Sequence, residues 1–166
     1  MSKPPTFRQT VGNIPNLADQ WKPGLGALRS EDKPNIAPAD PRRFRGSVDI
    51  DTALRKLQEH SQANRWDFAV GFQHSNRKNE FVYWIEIHTG SDSQISVVLR
   101  KLEWLRHWLV GEGAPLAGFE CEFVWVPSGA TKFTKRSRQV KALAGKGLHY
   151  SGTVFKIPDA HPSQER

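Results

Sequence analysis

The chain has one cysteine, one methionine and two tyrosines among its 166 residues. A lone Cys121 cannot close an internal disulfide, which excludes a disulfide-stabilised secreted scaffold. Placed within Phe119–Val126, it reads as a small core residue rather than a nucleophile. No apolar run approaches the roughly 20 residues that span a bilayer, so no membrane partner is expected. The opening Met-Ser-Lys-Pro-Pro lacks an apolar signal stretch, and the cytoplasm is the expected compartment. A phosphate loop, a Cys/His zinc site and a hydrolase elbow are missing as well. Gly24-Leu-Gly26 and Gly111-Glu-Gly113 lack the flanking pattern, and His60, His107 and His161 have no ligand-like spacing.

Acidic residues are scarce in one region above all. None lies between Glu122 and Asp159, whereas Lys132, Lys135, Arg136, Arg138, Lys141, Lys146 and Lys156 do. They supply much of a formal net charge of +7 and a pI near 9.8. Lys135, Arg138 and Lys141 recur every third residue, so a helix there presents one basic stripe. That pattern suits phosphate contacts and makes nucleic acid the expected partner, with Lys132, Lys135, Arg136, Arg138, Lys141 and Lys146 as binding residues. Ser128, Thr131, Thr134 and Ser137 offer further hydrogen bonds to phosphate. Arg42-Arg-Phe-Arg45, and Arg77 with Lys78, form smaller basic clusters.

Seven of the eleven prolines fall in residues 1–46. Proline fixes φ and removes a donor, so this stretch reads as a flexible arm. Within it Ile14, Leu17 and Trp21 share one face of a short helix. They would either dock in a partner protein's groove or fold back over an apolar surface of the chain itself.

The folded domain is expected over 47–158, with a disordered tail at 159–166. Ser47 or Asp49 caps a helix running to about Ser61, with Ile50, Ala53, Leu54 and Leu57 along its buried face. Residues 65–73 read as a strand with Trp66, Phe68, Val70 and Phe72 on one face and Asp67, Ala69 and Gly71 on the other. A polar turn at 74–79 leads to a second strand, Glu80–His88, rich in aromatic and β-branched residues. A long helix follows over about Ser93–Val110, its apolar stripe set by Ile95, Val98, Leu99, Leu102, Leu105 and Leu109 and widened by Trp104 and Trp108. A strand at Glu120–Val126, a basic helix ending at Gly145 or Gly147, and a strand at Thr153–Ile157 complete the chain. The fold class is thus α/β: a mixed central sheet with flanking helices in the order α-β-β-α-β-α-β.

A hairpin looping at 74–79 pairs residues whose numbers sum to 153, which sets Asp67 opposite Glu86 on one face. His88 shares that face by the two-residue period and lies opposite Arg65. Two opposed carboxylates need compensation. A divalent cation held by Asp67 and Glu86, Mg²⁺ or Mn²⁺, would supply it, and so would a structural ion pair with Arg65. A metal so placed activates a water against a phosphodiester.

A helix, a strand with an early Asp, a hairpin to a strand ending Glu-x-basic, then a long helix and a strand, resembles the PD-(D/E)xK, restriction-endonuclease-like, superfamily over about residues 47–126. The resemblance implies that Asp67 and Glu86 bind Mg²⁺ and that His88 stands at the position of the motif lysine, which positions or activates the attacking water. Lysine's constant charge is then missing from that position. Lys101 on the following helix is an alternative source, and Glu59 a counterpart to an acid on the first helix of some members. Arg65-Trp-Asp-Phe-Ala-Val-Gly, Trp84-Ile-Glu-Ile-His and the segment Leu99–Leu109 also resemble small uncharacterised bacterial proteins, which suggests a bacterial source. The reading is a divergent metal-dependent nuclease acting on DNA, in bacterial defence or repair, with Asp67, Glu86 and His88 as catalytic residues. The alternatives are a catalytically inactive subunit that binds nucleic acid or protein, and an inhibitor module whose basic face meets an acidic partner.

Overall fold

A computed structural model describes residues 3–129 and 137–162. Among the described residues five strands form the central sheet: β2 (Phe44–Asp49), β3 (Phe68–Phe72), β4 (Phe81–Thr89), β5 (Glu120–Ser128) and β6 (Leu148–Tyr150). They lie in the order β2-β3-β4-β5-β6. β2, β3 and β4 run antiparallel, whereas β4, β5 and β6 run parallel. The sheet is therefore mixed, as expected, and its longest strands, β4 and β5, are neighbours at nine residues each.

Among the described residues four helices accompany it: α1 (Phe7–Gly12), α2 (Ile50–Arg55), α3 (Ile95–Val110) and α4 (Arg138–Gly145). α2 begins at Asp49, whose carboxylate accepts from the Thr52 N–H at 2.8 Å, a side-chain cap for an otherwise orphan donor. It ends at Arg55 rather than near Ser61, because Leu57 is extended and a separate turn forms at 58–60. α3 buries Val98, Leu102, Leu105, Trp108 and Leu109 against the sheet, the stripe its periodicity predicts. Ser137 caps α4, and the chain leaves that helix through Gly147 at φ +82°.

The proline-rich arm is part of the fold. Phe7, Val11, Ile14 and Leu17 are buried in the same core cluster as Trp84, Leu102 and Trp125. Thr6 and Gln9 form a reciprocal capping box at the start of α1. Phe7 lies on Gly71 so closely that a Cβ there would stand 2.7 Å from its ring. Trp21 donates its indole N–H to the Arg45 carbonyl at 3.1 Å and covers Gly46, where a Cβ would meet the indole at 2.1 Å. Farther along, Leu28 and Ile36 join the second cluster, on the opposite sheet face. A short strand β1 (Ile36–Pro38) pairs in parallel there with β7 (Phe155–Ile157). The prolines bound short elements; they do not prevent the intervening apolar residues from packing. Ile14 and Leu17 are therefore committed within the chain and do not form a free surface for a partner.

Other expectations change similarly. The strand expected at Thr153–Ile157 is β7, outside the main sheet, while the sheet's edge is β6, which the pattern did not indicate. β2 crosses the expected boundary between arm and domain at residue 46, and Ser47 lies in that strand and does not cap α2. Trp66 precedes β3 and joins the helix-side core, apart from Phe68, Val70 and Phe72. Cys121 is exposed, since β5 becomes buried only from Val124 onward. The expected tail is packed as far as the description extends. Asp159 pairs with Arg43, and His161 donates its backbone N–H to Asn76 and stacks on Phe81.

Candidate functional site

The hairpin register follows the sum rule: Phe68 faces Ile85 and Phe72 faces Phe81. One step outward, Asp67 meets Glu86, and each carboxylate takes a backbone N–H of the other strand. The Asp67 N–H donates to Glu86 Oε1 at 3.1 Å, and the Ile87 N–H donates to Asp67 Oδ2 at 3.0 Å. Each acid thus keeps one oxygen uncommitted to the backbone. Both face the helix side of the sheet, where Ala69, Val82 and Trp84 pack.

Lys101 reaches this pair from α3. Its ammonium donates to Glu86 Oε2 and stands 3.6 Å from Asp67 Oδ1. The lysine sits on the buried stripe between Val98 and Leu105, so its alkyl stem crosses apolar packing and its head reaches the acids. Glu86 has no solvent exposure and Asp67 only 8 %. Burial pushes the Glu86 carboxyl well above its usual range and Asp67 adds to that, with Lys101 opposing. Burial raises Asp67 as well, against Lys101 and the Ile87 N–H. For Lys101, burial works to lower the pKa, but Glu86 and Asp67 outweigh it and hold the ammonium charged.

Arg65 does not compensate the pair. Its Nε donates to Asp51 Oδ1 at 2.9 Å, and its Nη1 caps the carbonyls of His60 and Ser61. Glu59 is exposed and clusters with His60 and Glu112. Two acids that sequence reasoning missed act on Asp67. Asp51 sits beside Asp67 through their backbones, and Asp32, 8 % exposed, is raised by burial and by the Glu31 and Asp67 charges. Neither carries a short-range pattern that would have marked it.

Comparison with family models, with curated proteins and with solved structures found no match.

His88 is close to the acids without joining their hydrogen bonds. Its Nδ1 lies 3.8 Å from Glu86 Oε2, and its Nε2 bonds Gln94 Oε1 at 2.6 Å. Gln94 belongs to the turn 92–94 before α3, and Asp92 of the same turn accepts from Gln139 of α4 at 3.3 Å. The basic helix is thus tied to the end of the sheet that carries the acids. Arg138, Lys141 and Lys146 are exposed, whereas Lys132, Lys135 and Arg136 lie outside the described residues.

Proposed function

We propose that the chain is a divergent metal-dependent nuclease of the restriction-endonuclease-like kind, acting on DNA. Asp67 and Glu86 hold the divalent ion, and Lys101, rather than His88, supplies the lysine charge. The observation that carries this reading is the Lys101 ammonium resting on both carboxylates from α3. It completes an acid, acid and lysine set that the linear motif left incomplete.

The donor set suits a hard divalent cation. Glu86 Oε2 and Asp67 Oδ1 are carboxylate oxygens with lone pairs not taken by the backbone, and Mg²⁺ commonly uses one or two carboxylates with waters. When bound, such an ion polarises the phosphodiester and lowers the pKa of a coordinated water. The chain's own residues do the rest. The two backbone N–H bonds fix the carboxylates in orientation, and preorganised charge of this kind needs no rearrangement during reaction. Lys101 offers a permanent positive charge to the negative charge that builds on the phosphate. α4, held to the 92–94 turn, sets Arg138 and Lys141 to take the flanking backbone phosphates.

A second reading has its own support. Glu86 is fully buried and its ammonium partner satisfies it, which also describes a structural cluster in an inactive binding subunit. Cleavage of plasmid and single-stranded DNA with Mg²⁺ or Mn²⁺ separates the two. The wild type is expected to cleave, and Asp67→Ala and Lys101→Met to lose about 100-fold or more in rate, the scale of a lost electrostatic group. Absence of cleavage with either ion would overturn the nuclease reading and leave the binding one.

A further inference from the structure

We propose that a pocket on the sheet face opposite the acid pair binds a small aromatic ammonium ion, with Glu122 as the residue that holds its charge. The pocket shares no lining residue with Asp67, Glu86 and Lys101, so it does not depend on the nuclease reading.

Strand alternation builds it. In the parallel β4–β5 pair Tyr83 lies beside Glu122, and in the β5–β6 pair Val124 lies beside His149. Residues two apart on a strand share a face, so Tyr83, Glu122 and His149 all stand on the side of Val124 and the second apolar cluster. β7 packs there, with the Phe155 ring 5.3 Å from Tyr83 and 5.9 Å from His149, edge to face in both. Pro158, His161 and Pro162 close one side and leave a cavity of about 300 Å³, the small end of the range for ligand pockets. Its walls are set before a ligand arrives. Tyr83 is buried, with its hydroxyl 2.7 Å from His74 Nε2. His161 is pinned to Asn76, donating its N–H to Oδ1 at 2.9 Å and accepting from Nδ2 at 2.7 Å through its carbonyl.

Glu122 is the one acid among the described residues that line this cavity. Its only ion-pair partner among the described residues is His149, whose Nδ1 lies 3.7 Å from Oε1. His149 holds the Glu122 carboxyl below its usual range, against the effect of burial. A half-buried carboxylate with no lysine or arginine partner among the described residues is completed by a ligand cation, and aromatic rings attract the same charge. An aromatic body suits walls of Tyr83, Phe155 and two prolines, where ring packing adds to the area buried. A carboxylate ligand would meet Glu122 instead. Lys156 opposes a cation, but it alternates outward between buried Phe155 and Ile157, and solvent screens it. Protonated His149 and His161 would oppose it as well, which sets the measurement at pH 8.

Benzylammonium, benzyl alcohol, benzoate and butylammonium are titrated into the full chain by calorimetry, with amide nitrogen–proton spectra reporting which residues shift. Benzylammonium should bind with a Kd of about 1 mM or tighter. It should bind at least about tenfold more tightly than the alcohol or benzoate, and more tightly than butylammonium. Its shifts should centre on Tyr83, His149 and Phe155. Glu122→Gln should reduce it to the level of the alcohol, whereas Glu103→Gln, outside the pocket, should leave it unchanged; thermal melting checks that both fold. The charge series on the wild type decides the matter even where a variant is unstable. Alcohol or benzoate bound as tightly as the amine would overturn the proposal, as would an unchanged Kd in folded Glu122→Gln. Shifts confined to residues outside the cavity, or no binding below about 10 mM, would overturn it too. Asp67→Ala should bind benzylammonium like the wild type, so loss of the nuclease reading and loss of this one are separable.

Discussion

At the scale of single residues, the site is a problem of buried charge. Glu86 and Asp67 are tolerated out of water because Lys101 brings a compensating ammonium between them. Removing one partner of such a group typically costs about 3–5 kcal/mol, because a charge is left uncompensated. Lys101→Met should therefore destabilise the fold by that amount at pH 8 in urea titrations. Without the ammonium, Glu86 keeps its proton to still higher pH. A carboxyl whose folded pKa is raised contributes stability at low pH and loses it as pH rises, so the cost should shrink toward pH 5. In a Glu86→Gln background, the same lysine change should cost clearly less; an equal cost in both backgrounds would contradict a direct pairing. His74 gives the opposite slope. It is buried with Nε2 bonded to the Tyr83 hydroxyl at 2.7 Å, and burial lowers its pKa to about 4 from 6.5. The unfolded chain then binds the extra proton, so stability should rise with pH between about 4 and 6.5. Melting temperatures across that window check it, and His74→Gln should flatten the slope.

At the scale of elements, what could be read from the chain depended on whether contacts were local. The β3–β4 hairpin is local, so its turn length determined the register and placed Asp67 against Glu86. α3 carries its own 3.6-residue period, and its buried face was legible for the same reason. Lys101 was visible only as a cation on that apolar stripe. That position was the signal: a lysine facing the core must meet a partner there, and the partners are Asp67, just before β3, and Glu86 on β4. The arm failed differently. Proline spacing predicts the absence of long elements, but it does not report whether Phe7, Val11 and Leu17 find an apolar surface far along the chain. They do, so α1 belongs to the core. Phe7→Ala should accordingly cost about 3–5 kcal/mol, as loss of a fully buried aromatic does, measured by chemical denaturation. A cost below about 1 kcal/mol would instead describe an arm that adds nothing to the fold.

At the scale of the whole molecule, the excess positive charge separates into committed and available parts. Arg42 pairs with Asp40, Arg43 with Asp159 and Arg77 with Glu120, so the smaller basic clusters are largely neutralised within the chain. Arg138, Lys141 and Lys146 are exposed and make no ion pair with the described residues. Arg106 even braces this region, donating to the Lys146 carbonyl at 2.8 Å while its guanidinium lies over Phe123. A cationic helix beside the acid-bearing end of the sheet, with no ion pair among the described residues, is where a polyanion gains most. Each phosphate neutralised on duplex DNA releases counterions and adds about 0.9 to the slope of log affinity against log salt. Replacing Arg138, Lys141 and Lys146 together by Gln should thus weaken DNA binding and reduce that slope by about three. The same change at Arg42, Arg43 and Arg77 should reduce it by much less, because those charges already have partners. Fluorescence anisotropy with a labelled duplex at 50–200 mM salt measures both. Equal slopes for the two triple variants would mean that α4 does not face the DNA, and that the basic balance of the chain acts only as a diffuse field.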